Sequence, residues 1–229
     1  MMEIKYVERG HKEDLVLIPG WATDFRVFGL LDLPYNYLFP VNFYPFNFAQ
    51  EFCGALGKGH SKKLSILGWS MGGFLAADFC QQYPGKVNEL IMLAVRKKYD
   101  RKILREINIK LAKNKNAWLY KFYQDFFAKE EVQGFSWFKR ELFRDYAESI
   151  ASEDLAIGLE YLSHAQLDTD ALLGVNKIRI FHGAEDLIAP LAEGEALKSY
   201  LPQATFFRLE GAGHACFFNP AFKASFSHE

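Results

Sequence analysis

The chain has 229 residues, of which half are hydrophobic and 16% aromatic, and its formal net charge at pH 7 is −1. This length fits a single domain over residues 1–229 with a sizeable core. The composition excludes a disordered chain, and the near-neutral charge excludes a protein that coats nucleic acid. The first residues lack the cationic start and apolar run of a secretion signal, and no segment has about 18 uninterrupted apolar residues. We therefore expect a cytoplasmic monomer with no nucleic-acid or membrane partner.

Alternating strand and helix patterns fill the first part of the chain. Apolar runs predict strands at residues 4–7, 15–18, 37–43, 63–67 and 87–95. Helical spacing of apolar residues predicts helices at 25–31 and 74–83, the second ending at Pro84 and Gly85. The run at 87–95 is nearly continuous, which is typical of a strand buried on both faces.

The pattern changes at Lys97. Residues 97–165, which we call the insertion, are charged, helical in spacing and rich in aromatic residues, and they contain no convincing strand. Strand patterns return at 177–181 and 205–209, with helices at 190–200 and from Phe217. This alternation predicts an α/β fold with a mostly parallel sheet, helices on both faces and a helical cap insertion.

The segment Gly68–Gly73, Gly-Trp-Ser-Met-Gly-Gly, joins a predicted strand directly to a predicted helix. A serine at such a reversal has a strained backbone, and its neighbours two residues away on either side must be small. Gly68 and Gly72 meet that requirement. The segment therefore predicts a nucleophile elbow at Ser70.

A serine hydroxyl needs a general base to take its proton. Of the six histidines, His214 alone lies in a small-residue loop directly after the last predicted strand. Such a loop can reach the carboxyl edge of the sheet. His182 ends the preceding strand, and we interpret it as a packed or capping residue.

The base also needs a carboxylate to orient it. The loop 183–190 follows a predicted strand and supplies Asp186. Glu185 is adjacent but is expected to point elsewhere, and Asp168 and Asp170 are typical of helix caps. Asp186 is therefore the predicted acid. The three scattered cysteines and the absence of a metal-ligand cluster or phosphate loop in the sequence predict neither a metal nor an organic cofactor.

The order Ser70, Asp186, His214 resembles that of the α/β-hydrolase family, and the resemblance covers nearly the whole chain. It implies a catalytic triad of these three residues. It also implies an oxyanion hole made by the backbone N–H groups of Met71 and Trp21. The family's usual His-Gly before the second donor is replaced here by Pro19 and Gly20, but the donor required is the N–H of Trp21.

Within that family, the segments Pro19–Trp21, Gly68–Gly73 and Gly158–Leu162 resemble the pimeloyl-acyl-carrier-protein methyl ester carboxylesterases of biotin synthesis. This resemblance implies a serine carboxylesterase that hydrolyses the methyl ester of pimeloyl-acyl-carrier protein, with a small or carrier-linked ester as the substrate class. Residues 97–145 contain 13 Lys or Arg against 7 Asp or Glu, which suits an acidic carrier protein and equally suits an ordinary solvated face.

An indole at a loop start favours a pocket role for Trp21, and aromatic residues of the insertion predict an apolar acyl slot, with plain core packing as the alternative. The predicted substrate-binding residues are Trp21, Trp69, Phe126 and Phe127.

Two other classes of function remain open at this point. The same fold serves short-chain esterases of broad specificity and a menaquinone-pathway lyase. The lyase hypothesis predicts arginines that converge on the pocket. A non-catalytic module that binds an acidic protein is the third possibility, and it predicts a serine that does not react.

Overall fold

A computed structural model describes residues 1–57 and 63–226. Its seven strands form one sheet in the order β1-β3-β2-β4-β5-β6-β7. They are β1 Glu3–Val7, β2 Asp14–Ile18, β3 Asn36–Val41, β4 Leu64–Trp69, β5 Val87–Leu93, β6 Lys177–Gly183 and β7 Thr205–Leu209. Only β1 is antiparallel to its neighbour; the remaining pairs are parallel, which confirms the predicted mostly parallel sheet.

Eight α-helices accompany the sheet in the described ranges. They are α1 Phe48–Leu56, α2 Met71–Gln82, α3 Arg101–Gln124, α4 Val132–Phe138, α5 Arg144–Ser149, α6 Ser152–His164, α7 Leu191–Tyr200 and α8 Pro220–Ala224. Helices α3 to α6 lie in the insertion, where a π-helical turn joins α4 to α5. Helix α3 is interrupted at Asn114, whose side chain accepts from the N–H of Ala117 at 3.0 Å. None of the helices in the described ranges is long and apolar enough to cross a bilayer.

Two helical elements differ from the sequence prediction. The predicted helix 25–31 is a short 3-10 turn, Phe25–Phe28, because the Asp24 side chain caps the Arg26 N–H at 2.9 Å and the turn closes at Gly29. Helix α1 was missed. Its buried side chains, Phe48, Ala49 and Phe52, follow an irregular aromatic and proline-containing segment that obscures the helical spacing.

The central strands carry the core. Every residue of β4 is buried, and so is every residue of β5 except Asn88. Both faces of these strands bury apolar residues. Each Å² of apolar surface removed from water stabilises the fold by about 25 cal/mol, and this burial holds the strands rigidly. The loops that follow the carboxyl ends of the parallel strands are therefore attached to rigid, buried strands.

Candidate active site

Ser70 occupies a strained turn between β4 and α2. Its backbone has φ 53° and ψ −117°, a conformation that side chains other than glycine rarely adopt. A Cβ atom on Gly68 would lie 2.3 Å from the Gly72 carbonyl oxygen, and one on Gly72 would lie 2.2 Å from the Ile18 carbonyl oxygen. These contacts confirm that both positions require glycine, as the elbow interpretation predicted.

Asp186 and His214 meet through a buried hydrogen bond. His214 Nδ1 lies 2.8 Å from Asp186 Oδ2, and the two residues are 1% and 5% exposed, respectively. The other carboxylate oxygen, Oδ1, accepts the N–H groups of Ile188 and Ala189, both at 2.8 Å. Because a carboxylate can only accept, Nδ1 carries the proton and Nε2 keeps its lone pair. The pair thus presents an oriented base.

The tryptophan beside the elbow serine supports the histidine loop. Trp69 Nε1 donates to the His214 carbonyl oxygen at 2.9 Å, and the two rings lie 5.6 Å apart. Within the described residues Ser70 Oγ has no hydrogen bond to His214; it lies 3.5 Å from the Tyr99 hydroxyl instead. The structure therefore brings acid and base together and places the serine hydroxyl beside an additional polar group. Catalytic contacts in a substrate-free enzyme are often longer than in the complex.

The loop after β2 approaches the elbow closely. A Cβ atom on Gly20 would lie 3.2 Å from Ser70 Cβ, so the Gly20–Trp21 turn lies directly against the serine. Met71 opens α2, where the first backbone N–H groups have no acceptor within the helix and the helix dipole favours negative charge. The two predicted oxyanion donors therefore belong to segments that flank Ser70.

The insertion holds this loop in place. Trp21 Nε1 donates to the Leu155 carbonyl oxygen at 2.9 Å, and the Tyr123 hydroxyl donates to the Ala22 carbonyl oxygen at 2.6 Å. The Tyr146 hydroxyl adds a bond to Asp24 Oδ1 at 2.9 Å. Three helices of the insertion thus fix the conformation of the loop that carries the Trp21 N–H.

The insertion also holds the histidine loop, through a residue that sequence reasoning missed. Glu131 is buried, and its Oε2 accepts the N–H groups of Ala128 and Gly213, both at 2.8 Å. Burial raises the pKa of Glu131, while these two N–H groups act in the opposite direction. The Ala215 N–H donates to the Phe126 carbonyl oxygen at 2.9 Å. His214 is therefore fixed through both adjacent residues.

The predicted substrate-binding residues lie in different surroundings. Trp69 and Phe126 are at most 1% exposed; their rings pack on each other and both pack on His214. Phe127 packs on Phe135, Phe138 and Phe218. Trp21 lines a cavity of about 450 Å³ together with Met71 and residues of α6. Trp21 therefore borders a cavity, whereas Trp69, Phe126 and Phe127 pack among aromatic rings.

The structure also shows the surroundings of three residues that the sequence analysis did not assign to the triad, namely Glu185, Asp168 and His182. Glu185 is exposed, and Asp168 Oδ1 accepts the Ala171 N–H at 3.2 Å as a local cap. His182 is fully buried, and its Nε2 donates to the Ala189 carbonyl oxygen at 2.6 Å. These contacts confirm the packing and capping interpretations of His182 and Asp168.

His182 should make stability depend on pH. Burial lowers its pKa below the ordinary value, although Asp186 opposes the change. Below about pH 6.5 the unfolded chain binds a proton that the folded chain does not, so the free energy of unfolding should fall as the pH falls, by up to about 1.4 kcal/mol per pH unit. Urea unfolding at about pH 7.5 and 5.5 measures how far the free energy of unfolding falls on acidification. This decrease should be smaller for His182→Asn than for the unmodified chain, and equal decreases would show that His182 is not the source of the pH dependence.

Tyr99 and Glu131 carried only weak sequence signals. Tyr99 follows three basic residues, and Glu131 lies in the charged stretch Lys129–Glu131, so both resemble solvated surface positions. For Tyr99 the usable signal was its place shortly after β5, because loops at the carboxyl ends of parallel strands converge. Nothing in the spacing of Glu131 indicates its partner Gly213, which lies 82 residues away.

Comparisons with known proteins agree with this architecture. The family model for the alpha/beta hydrolase fold matches residues 56–221. A pimeloyl-[acyl-carrier protein] methyl ester esterase of Nitrosomonas europaea is 22% identical over 240 residues, covering 95% of this chain and 94% of the relative. The protein of the same name from Aromatoleum aromaticum is 25% identical over 247 residues, covering 90% and 93%.

A solved structure gives the same result at the level of the fold. The esterase EaEST from Exiguobacterium antarcticum matches with a TM-score of 0.80 at 18% identity, over 98% of this chain and 92% of that one. The family match extends from before the elbow strand to beyond the histidine loop, and so includes Ser70, Asp186 and His214. The chain belongs to the alpha/beta hydrolase fold family.

Proposed function

We propose that the protein is a serine carboxylesterase in which Ser70, His214 and Asp186 form the catalytic triad. The observation that carries the proposal is the buried 2.8 Å hydrogen bond between Asp186 and His214, at the sheet edge where Ser70 occupies its strained turn. A strained elbow that requires two glycines has a structural cost, and such strain is typical of functional sites.

The chemistry follows from the positions of these groups. Ser70 Oγ attacks the ester carbonyl carbon while His214 Nε2 takes its proton, and Asp186 stabilises the imidazolium that forms. The carbonyl oxygen becomes an oxyanion and accepts hydrogen bonds from the N–H groups of Trp21 and Met71; each such donor typically contributes about 2.7–4 kcal/mol. His214 then returns the proton to the departing alcohol, and water repeats the sequence to release the acid.

The methyl ester of pimeloyl-acyl-carrier protein is the substrate that we propose. The relatives named above carry that activity in their names. The cavity of about 450 Å³ beside Trp21 and Met71 offers room for an acyl chain. A second groove, of about 670 Å³, is lined by Tyr99 and by charged residues, namely Arg96, Lys97, Lys98 and Arg101 with the acidic Asp100 and Glu193. Its positive surplus suits an acidic carrier.

A substrate panel tests this proposal. The purified protein should hydrolyse p-nitrophenyl butyrate and pimeloyl-acyl-carrier-protein methyl ester, with the higher kcat/KM for the carrier-linked substrate than for free dimethyl pimelate. Lys98→Glu should lower kcat/KM only for the carrier-linked ester, whereas Lys12→Glu, an exposed position before β2 at the opposite edge of the sheet, should leave it unchanged. Equal rates on free and carrier-linked esters would remove the carrier from the proposal and leave the esterase.

Glu131 should affect turnover through the histidine loop. Glu131→Ala removes the acceptor for the Gly213 N–H beside His214, so kcat should fall by about 10-fold to 100-fold with little change in KM. Glu131→Gln keeps one carbonyl oxygen and should restore most of the rate. Glu130→Ala, the exposed neighbour, is the matched control and should behave like the unmodified chain. A KM effect without a kcat effect would show that Glu131 does not position the base.

A further inference from the structure

Ser70 has a polar neighbour that the triad does not include. The Tyr99 hydroxyl lies 3.5 Å from Ser70 Oγ, and either group can donate. The Tyr99 ring packs against Phe74 of α2, with 6.0 Å between centroids, and the Arg96 guanidinium carbon lies over the Tyr99 ring, 5.0 Å from its centroid. Arg96 in turn forms an ion pair with Glu193 of α7. The tyrosine is thus held in place at the reacting atom.

The sheet order decides which side of Ser70 the hydroxyl occupies. The oxyanion loop follows β2, on one side of β4, whereas Tyr99 follows β5, on the other side. The strands that precede Asp186 and His214, β6 and β7, lie beyond β5. Tyr99 therefore follows a strand on the side of the acid and the base, opposite the loop that carries the Trp21 N–H.

In ester hydrolysis these two sides receive different oxygens. The carbonyl oxygen turns toward the oxyanion donors, so the alkoxy oxygen turns toward the base, which must protonate it. We propose that the Tyr99 hydroxyl donates a hydrogen bond to the alkoxy oxygen of the ester as that oxygen departs from Ser70. This inference rests on the proposed esterase function and adds a catalytic residue to it.

The step balances without a further reactant. In the tetrahedral intermediate Ser70 Oγ is bonded to the acyl carbon and His214 Nε2 carries the proton that Ser70 lost. The bond from carbon to the alkoxy oxygen breaks, both bonding electrons go to that oxygen, and His214 gives it the proton. Tyr99 keeps its own proton throughout and only donates a hydrogen bond to the alkoxy oxygen. Burial raises the pKa of Tyr99, against the effects of Ser70 and Arg96, so its hydroxyl stays protonated at neutral pH.

Leaving groups of different basicity test this role. Methoxide is a strong base that needs protonation to depart, whereas p-nitrophenolate is a stable anion that does not. Methyl butyrate and p-nitrophenyl butyrate form the same acyl-enzyme, and kcat/KM reports the steps up to departure of the alcohol, so the effect of one substitution on the two kcat/KM values can be compared directly for the step that Tyr99 is proposed to assist. Tyr99→Phe removes one oxygen and keeps the ring that Phe74 and Arg96 contact.

Tyr99→Phe should lower kcat/KM for methyl butyrate by about tenfold and that for p-nitrophenyl butyrate by less than about twofold. Tyr6→Phe, an exposed residue of β1 at the far edge of the sheet, should change neither. Equal losses on both esters, or no loss on either, would overturn the role of Tyr99 while leaving the esterase proposal in place. If the unmodified protein hydrolyses neither ester, the esterase proposal fails, and the inference fails with it. Equal melting temperatures for the two variants and the unmodified chain establish that the comparison reports chemistry.

Discussion

Ser70→Ala is expected to lower kcat/KM for p-nitrophenyl butyrate by a factor on the order of 10⁴ or more, because the variant lacks the proposed nucleophile and retains only the binding contacts and the proposed oxyanion donors. Alanine and serine differ by one oxygen and have similar backbone preferences, so the strained turn at φ 53° should persist. The measurement is steady-state hydrolysis together with the melting temperature of each protein.

The matched control for this prediction lies on the same strand. Ser65 is buried in β4 and lies five residues before Ser70. Ser65→Ala should keep full activity, since its hydroxyl is remote from the carboxyl edge of the sheet. Loss of activity in both variants would indicate damage to the strand, and retention in both would exclude Ser70 as the nucleophile.

Asp186→Asn should have the second largest effect, a loss on the order of 10⁴-fold in kcat. The asparagine carbonyl oxygen can still accept the N–H groups of Ile188 and Ala189. Its NH₂ group then faces His214 Nδ1 and donates to it, which places the imidazole proton on Nε2. That nitrogen can no longer accept the proton of Ser70.

Glu185→Gln is the natural comparison, since it makes the same chemical change one residue earlier on an exposed side chain. It should leave kcat within about twofold, as is usual for surface substitutions. The two amide variants should have similar melting temperatures, because neither loses a backbone contact of the loop. If Glu185→Gln were the damaging change, the acid of the triad would have been assigned to the wrong carboxylate.

The strand and loop order could be predicted from the sequence because each relevant signal is local. The nearly continuous apolar run at 87–95, interrupted at Asn88 and Glu89, indicated a buried strand, and the glycines around Ser70 indicated a tight turn. Once the strands are known to be parallel, their carboxyl ends must converge, and so the loops with Asp186 and His214 could be placed at one edge.

Contacts between residues far apart in the sequence had no comparable local signal. Tyr123 and Tyr146 follow helical spacing like any core aromatic, but their hydroxyls bond to the loop after β2, 101 and 122 residues earlier in the chain. Helix α1 was missed for a different reason, since Gly54 and the preceding proline segment weaken its local helical preference and the burial of Phe48 and Phe52 stabilises it instead. Long-range packing therefore supplied what local pattern could not.

The reactivity of Ser70 tests the central claim most directly. A fluorophosphonate phosphonylates a serine that an adjacent base activates, and intact mass spectrometry followed by peptide mapping locates the adduct. The account predicts one adduct per chain, on Ser70, with ester hydrolysis lost in proportion to labelling and with labelling strongly slowed in His214→Ala. A protein that continues to hydrolyse esters with Ser70 unlabelled, or that is labelled at another residue as activity disappears, would contradict it.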